Sequence, residues 1–179
     1  MNRRRFLALA AWGAGCALLP TGFAAAAPPF PETRRLAFHN LHTDERLDAC
    51  YCEGGEYVPA ALGQIDGVLR DHRTGEVRRM EPRLIDLVYA LTLLLGSDTP
   101  VQVISGYRSA ATNALLHSED PAHVAERSLH LTGEAIDLCF EDRPLHQVRD
   151  AALTLAVGGV GYYPVSGFVH LDVGRPRSW

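Results

Sequence analysis

Two histidines and an aspartate carry the chemistry this sequence offers. His130 and Asp137 sit in Ser128-Leu129-His130-Leu131-Thr132-Gly133-Glu134-Ala135-Ile136-Asp137, and His170 in Gly167-Phe168-Val169-His170-Leu171-Asp172. Two imidazoles and a carboxylate, with one position left open, are the ligand set of catalytic zinc. The spacing restricts how they can meet. An extended chain would separate His130 from Asp137 by about 23 Å, whereas ligands about 2 Å from one ion lie only a few Å from each other. The chain must therefore reverse between them. Thr132-Gly133 is the turn available, with glycine free to take positive φ.

The elements that position these groups follow from alternation. Ala135 to Phe140 reads as a strand, with Ile136, Leu138 and Phe140 on one face and Ala135, Asp137 and Cys139 on the other. An aspartate among strand-forming apolar residues needs a partner, because an unpaired buried carboxylate is costly. Around His170, Val169, Leu171 and Val173 share one face, and Phe168, His170 and Asp172 the opposite one. Asp172 thus projects into the space of His170. Val101 to Ser105 is a short strand running through Gly106-Tyr107-Arg108-Ser109 into a helix from Ala110 to His117. Such a junction presents free backbone N–H groups and often carries function. Arg108 there can form a surface ion pair or reach an anionic group at a neighbouring site.

The remaining elements supply a core. Arg35 to Leu41 and Arg46 to Cys52 form a hairpin across His42-Thr43-Asp44-Glu45. Pro59 to Asp71 reads as a helix with Leu62, Ile65 and Leu69 on one face, and Pro82 to Leu95 as the strongest helix, with Leu84, Leu87, Val88, Leu91 and Leu95 in a broad stripe. Ser118 to Arg127 is polar and irregular and leads into His130, as the wall of a cleft would. Pro144 to Ala156 is a further helix, and Val160 to Tyr163 a strand that turns through Pro164-Val165-Ser166-Gly167 into the His170 strand. Trp179 is expected to pack on the body. His39, His42, His117 and His123 read as surface residues.

The chain has 179 residues, 47% hydrophobic and 21% charged, with a net charge of −4. This is one domain plus an N-terminal extra, and the mild acidity argues against a nucleic-acid partner. Asn2-Arg3-Arg4-Arg5-Phe6-Leu7, the apolar run Ala8 to Leu19 and Ala24-Ala25-Ala26 read as a twin-arginine signal peptide over residues 1–26. A proline-rich lead-in follows over 27–34, and the domain occupies 35–179. The apolar run is short for a membrane span, so no stable anchor is expected after cleavage. Cys16 as a lipid-modified residue is an alternative, against a poor local fit. Without the leader, Cys50, Cys52 and Cys139 remain. An oxidising compartment permits a disulfide, yet an odd count leaves a free thiol. A fourth-ligand role for Cys139 competes with the ordinariness of a buried thiol on a strand.

Ser128-x-His130-x-x-Gly133-x-Ala135-x-Asp137 resembles the first zinc motif of the D-alanyl-D-alanine metallopeptidases, which share a fold with the Hedgehog signalling domain. Ser105-Gly106-Tyr107-Arg108-Ser109 resembles the family's arginine-bearing stretch. Gly159 to Tyr163 and Phe168 to Trp179 are similar to a subgroup of periplasmic proteins of the YcbK kind, which also begin with a twin-arginine signal. The resemblance implies an α+β fold with a small antiparallel sheet packed with helices. It implies one zinc ion on His130, Asp137 and His170, Arg108 on the substrate or transition state, and hydrolysis of peptidoglycan stem-peptide cross-links in the periplasm. Alternatives on the same scaffold are a D,D-carboxypeptidase or dipeptidase, or a zinc-holding binding module without turnover. One departure stands out. The family usually carries a glutamate as general base two residues before the last histidine, and this chain has Phe168 there. Asp172, on the same strand face, is then either the base or the group that orients His170.

Overall fold

The computed structural model describes residues 30–121 and 123–179. The signal segment over 1–26 and Cys16 lie outside the described residues. Among the described residues eight strands form one sheet. They are β1 (Arg34–Asn40), β2 (Arg46–Glu53), β3 (Glu56–Tyr57), β4 (Val101–Ser105), β5 (Ala135–Cys139), β6 (Gly159–Tyr163), β7 (Phe168–Asp172) and β8 (Arg177–Ser178). Their order across the sheet is β3-β2-β1-β4-β5-β7-β6-β8. Among the described residues four α-helices accompany them: α1 (Pro59–Val68), α2 (Pro82–Leu95), α3 (Ala110–Glu119) and α4 (Leu145–Leu155).

The α+β class is as expected, but the sheet is neither small nor wholly antiparallel. The β1–β4 and β6–β8 pairs are parallel. The first of these arises because α1 and α2 intervene between β2 and β4 and return the chain beside β1. The two-residue edge strands β3 and β8 are too short to show an alternation in sequence. The expected lead-in over 27–34 also ends early. Arg34 already belongs to β1, is buried, and pairs with Asp86 through Nε at 3.2 Å.

One core unites the sheet with α1, α2 and α4. It is built from Phe38, Tyr51, Ile65, Leu84, Val88, Leu91, Ile136, Leu138, Val148, Val169 and Leu171, all essentially inaccessible to solvent. These are the inward positions that the strand and helix periods mark. Helix α2 occupies the expected span, starting at Pro82 with Glu81 as its cap and ending at Gly96 in a left-handed conformation, φ 57°. Helix α1 stops at Val68, short of the expected Asp71. Asp71 Oδ1 instead accepts from the N–H groups of Arg73 and Thr74, which turns the chain out of the helix. Helix α3 runs two residues beyond the expected His117. The hairpin β1–β2 and the turn between β6 and β7 are where the sequence placed them.

Candidate metal centre

Strands β5 and β7 are antiparallel neighbours, and their register sets Asp137 directly opposite His170. Because β5 sends Ile136 and Leu138 into the core, Asp137 faces the other side. His130 reaches it from a single 3₁₀ turn, Leu129–Thr132, which Ser128 caps through its hydroxyl. Gly133 then reverses the chain at φ +75°, the predicted turn. A side chain at Gly133 would meet the Arg79 carbonyl oxygen at 2.5 Å, so the turn is also pressed against the segment entering α2.

Three donor atoms converge as a result. Asp137 Oδ1 lies 2.8 Å from His170 Nδ1 and 3.2 Å from His130 Nε2, and the two ring nitrogens are 3.2 Å apart. All three residues are buried. The outer edges of both rings are fixed. His130 Nδ1–H donates to the Gly106 carbonyl oxygen at 2.7 Å, and a carbonyl offers no proton in return. His170 Nε2 faces Asp172 Oδ2 at 3.1 Å. With those protons outside, each neutral ring turns a lone pair inward, towards the carboxylate and towards the other ring. Three electron-pair donors aimed at one point repel unless a positive charge sits among them. Tetrahedral ligands about 2 Å from an ion stand about 3.3 Å apart. Donor type, spacing and outer hydrogen bonds therefore fit a divalent cation.

The three groups also set one another's charge. Burial works against the charge on Asp137, but His130 and His170 outweigh it and hold the carboxyl well below its usual range. Burial keeps His130 low. His170 is pushed the other way, since its hydrogen bonds to Asp137 and Asp172 overcome burial and raise it to about 9. A proton on His170 and a metal ion compete for the same lone pair.

Arg108 stands beside this centre. Its Nη2 donates to Asp137 Oδ2 at 3.2 Å and to Ser105 Oγ at 3.3 Å. Its backbone N–H donates to the His130 carbonyl oxygen at 3.2 Å, so the Gly106–Arg108 segment and His130 hold each other reciprocally. Asp172 is fully buried. Oδ1 accepts from the N–H groups of Gly159 and Gly174 at 2.9 and 2.8 Å, and Arg177 reaches both oxygens at 3.0 and 2.6 Å. Phe168 stacks on Tyr163, ring centroids 4.6 Å apart.

The three ligand candidates and Arg108 line one cleft of about 890 Å³, and the segment after α3 forms part of its wall through Val124 and Ala125. Trp179 was expected only to pack on the body. It lies 5.4 Å from the His170 ring and donates through Nε1 to the Tyr163 hydroxyl at 2.7 Å. Gly161, paired with His170 across β6–β7, leaves the space the indole occupies. Arg177, His72 and Arg73 also escaped the sequence reading, since no periodicity or spacing links them to the ligands. Cys139 bonds Gln102 at 3.2 Å and is not part of the converging group, and Cys50, Cys52 and Cys139 are free thiols.

A family model described as peptidoglycan L,D-endopeptidase MepK matches residues 29–179. The chain belongs to this peptidase family. The peptidoglycan L,D-endopeptidase MepK of Escherichia coli (strain K12) is 43% identical over 179 residues, covering 99% of this chain and 97% of the relative. The probable peptidoglycan L,D-endopeptidase MepK of Haemophilus influenzae is 38% identical, covering 99% and 95%. Among solved structures, the Serratia marcescens L-Ala D-Glu endopeptidase ChiX gives a TM-score of 0.34 at 22% identity, over 54% of this chain and 68% of that one.

Proposed function

We propose that this chain is a zinc-dependent endopeptidase of peptidoglycan that cuts an L,D peptide bond outside the cytoplasm. The convergence of His130 Nε2, Asp137 Oδ1 and His170 Nδ1 in the wall of a cleft carries the reading. Family membership and the names of the relatives support peptidoglycan as substrate and an L,D bond as the one cut. In this reading those three residues hold the ion. Zinc in such a site supplies Lewis acidity towards a carbonyl oxygen and makes water more acidic, towards a pKa of about 7.

The chain's own groups then have distinct tasks. Arg108 is held by Asp137 and Ser105 through Nη2, and Nη1 makes no hydrogen bond among the described residues. It offers a fixed positive charge and free donors to the oxygen of the scissile carbonyl as negative charge develops there. Asp172 accepts from two backbone amides, from Arg177 and from His170 Nε2–H, which supports an orienting role over a proton-accepting one. Phe168 and Tyr163 give the cleft an apolar wall at the position where the D-alanyl-D-alanine metallopeptidases carry a glutamate.

Peptidoglycan lies outside the cytoplasm, and we place the protein in the periplasm, exported by the twin-arginine route. Asn2-Arg3-Arg4-Arg5-Phe6-Leu7 and the apolar run behind it support this. No helix among the described residues is long and apolar enough to cross a membrane. The test is digestion of purified peptidoglycan by zinc-loaded protein, with and without chelator, and mass spectrometry of the released peptides. Chelator-sensitive cleavage at an L,D bond is expected. Fully metallated protein that binds the peptides and leaves them intact would favour a binding module and overturn the proposal.

A further inference from the structure

The cleft holds a second cluster that this chemistry does not use. His42, in the β1–β2 turn, and His72, in the loop after α1, stack with ring centroids 3.8 Å apart and planes 10° from parallel. Both line the cleft of the metal ligands, as does Arg73. Neither ring and no part of the Arg73 guanidinium has a hydrogen-bond partner among the described residues.

The fold builds this cluster through a chain of buried ties. Asn40 Oδ1 accepts from the N–H groups of His42 and Thr43, while its Nδ2 donates to the Val68 carbonyl oxygen at 2.8 Å. Arg70 fastens the same turn through Glu45 at 2.7 Å. These ties bring the His42 ring onto His72. Asp71, 2% exposed, joins the loop to the Arg108 segment, accepting from the N–H groups of Arg73 and Thr74 on Oδ1 and of Ser109 on Oδ2. Tyr107 N–H donates to the Leu69 carbonyl oxygen at 2.7 Å, and Gly106 packs so closely on Leu69 that a side chain there would collide with its backbone. His72 and Arg73 are thus fixed beside Arg108, with their polar atoms unspent.

We propose that His42, His72 and Arg73 form a subsite that binds a free carboxylate of the peptide, away from the bond that is cut. The inference rests on the reading that this cleft accepts peptidoglycan peptides, and it assigns what selects among them. A planar guanidinium matches a carboxylate with two parallel donors, and each imidazole adds an N–H. The carboxylate beside His72, Asp71, is committed to backbone N–H groups. Burial, then His42, Arg73 and Arg108, hold His72 below the usual imidazole range, with Asp71 alone opposing. A carboxylate arriving there meets donors that have given up no internal partner.

The test uses peptidoglycan stem peptides whose carboxylates are converted to carboxamides one at a time. Binding to the zinc-loaded protein is read by stopped-flow fluorescence of Trp179, which lines the cleft, before turnover. One amidation is expected to weaken binding by about tenfold in the wild type. In Arg73→Ala and in His72→Ala the ratio of free to amidated affinity should fall towards one, with metal content unchanged. The proposal is overturned if no single amidation weakens binding in the wild type, or if the loss persists undiminished in both variants. Failure of the endopeptidase reading is a separate result, in which peptides are bound with this selectivity and stay uncut.

Discussion

Asp172 Oδ2 lies 3.1 Å from His170 Nε2, on the ring edge away from Asp137. Asp172 is itself held by Arg177, and a charged carboxylate there fixes which nitrogen of His170 keeps its proton. In the proposed metal centre the inward lone pair therefore depends on a residue outside the ligand set.

Replacing that residue should weaken the centre without removing a ligand. Asp172→Asn is expected to lower zinc affinity by about 10–100-fold, measured by competition with a chromogenic chelator. Arg177→Ala should move it in the same direction and by less, because Gly159 and Gly174 still hold Oδ1. An unchanged zinc affinity in Asp172→Asn would remove Asp172 from the account.

Removing a ligand should do more. Wild-type protein is expected to retain one zinc ion per chain through dialysis, and His170→Ala to lose it. Elemental analysis reads both, and circular dichroism should show that the sheet survives. Equal metal content in the two proteins would mean that the ion, if bound, sits elsewhere.

Asp71 gives a pH-dependent prediction on stability. Burial raises its pKa, but hydrogen bonds from Thr112, Ser109 and Arg73 outweigh burial and hold it well below its usual value. A group whose folded pKa is depressed adds stability above its unfolded pKa, and that stability is lost as pH falls through the folded one. Asp71→Asn should therefore cost about 1–3 kcal/mol at pH 7. The gap to wild type should shrink as pH drops below about 4. Denaturant titrations at pH 7 and at pH 3 measure it, and a gap that grows in acid would contradict the assignment.

Two glycines should respond oppositely to the same change. Gly133→Ala places a side chain at φ +75° against the Arg79 carbonyl oxygen. The backbone alone costs about 1–2 kcal/mol, a fall of about 2–8 °C in melting temperature. Gly63, within α1 and with nothing within 4 Å of an added methyl, should gain about 0.5–1 kcal/mol as alanine. Thermal melts of the two variants suffice.

What was legible in the sequence was whatever is periodic or local. Alternation placed Asp137 and His170 on strands facing away from the core, and Gly133 marked the reversal that lets His130 return. The apolar stripe of Pro82–Leu95 gave α2 its span. The pairing partners of strands are not local. Nothing in the order of residues said that β1 would lie parallel to β4, or that Arg34 would be buried against Asp86. The same holds in the site. His42 and His72 stand thirty residues apart and meet only because Asn40 and Arg70 tie a turn to the end of a helix. Arg177 and Trp179 reach the centre because β8 runs beside β6, which a two-residue strand cannot announce.

Asp137 and His170 are opposite one another on adjacent strands in the interior of the sheet. The gap between them is a property of the ladder and owes little to the segments around the rim. The rim, by contrast, is assembled from the β1–β2 turn, the loop behind α1 and the stretch after α3. Such a division separates the spacing of the two strand-borne groups from the shape of the opening above them, so exchanges in the outer segments leave that spacing in place.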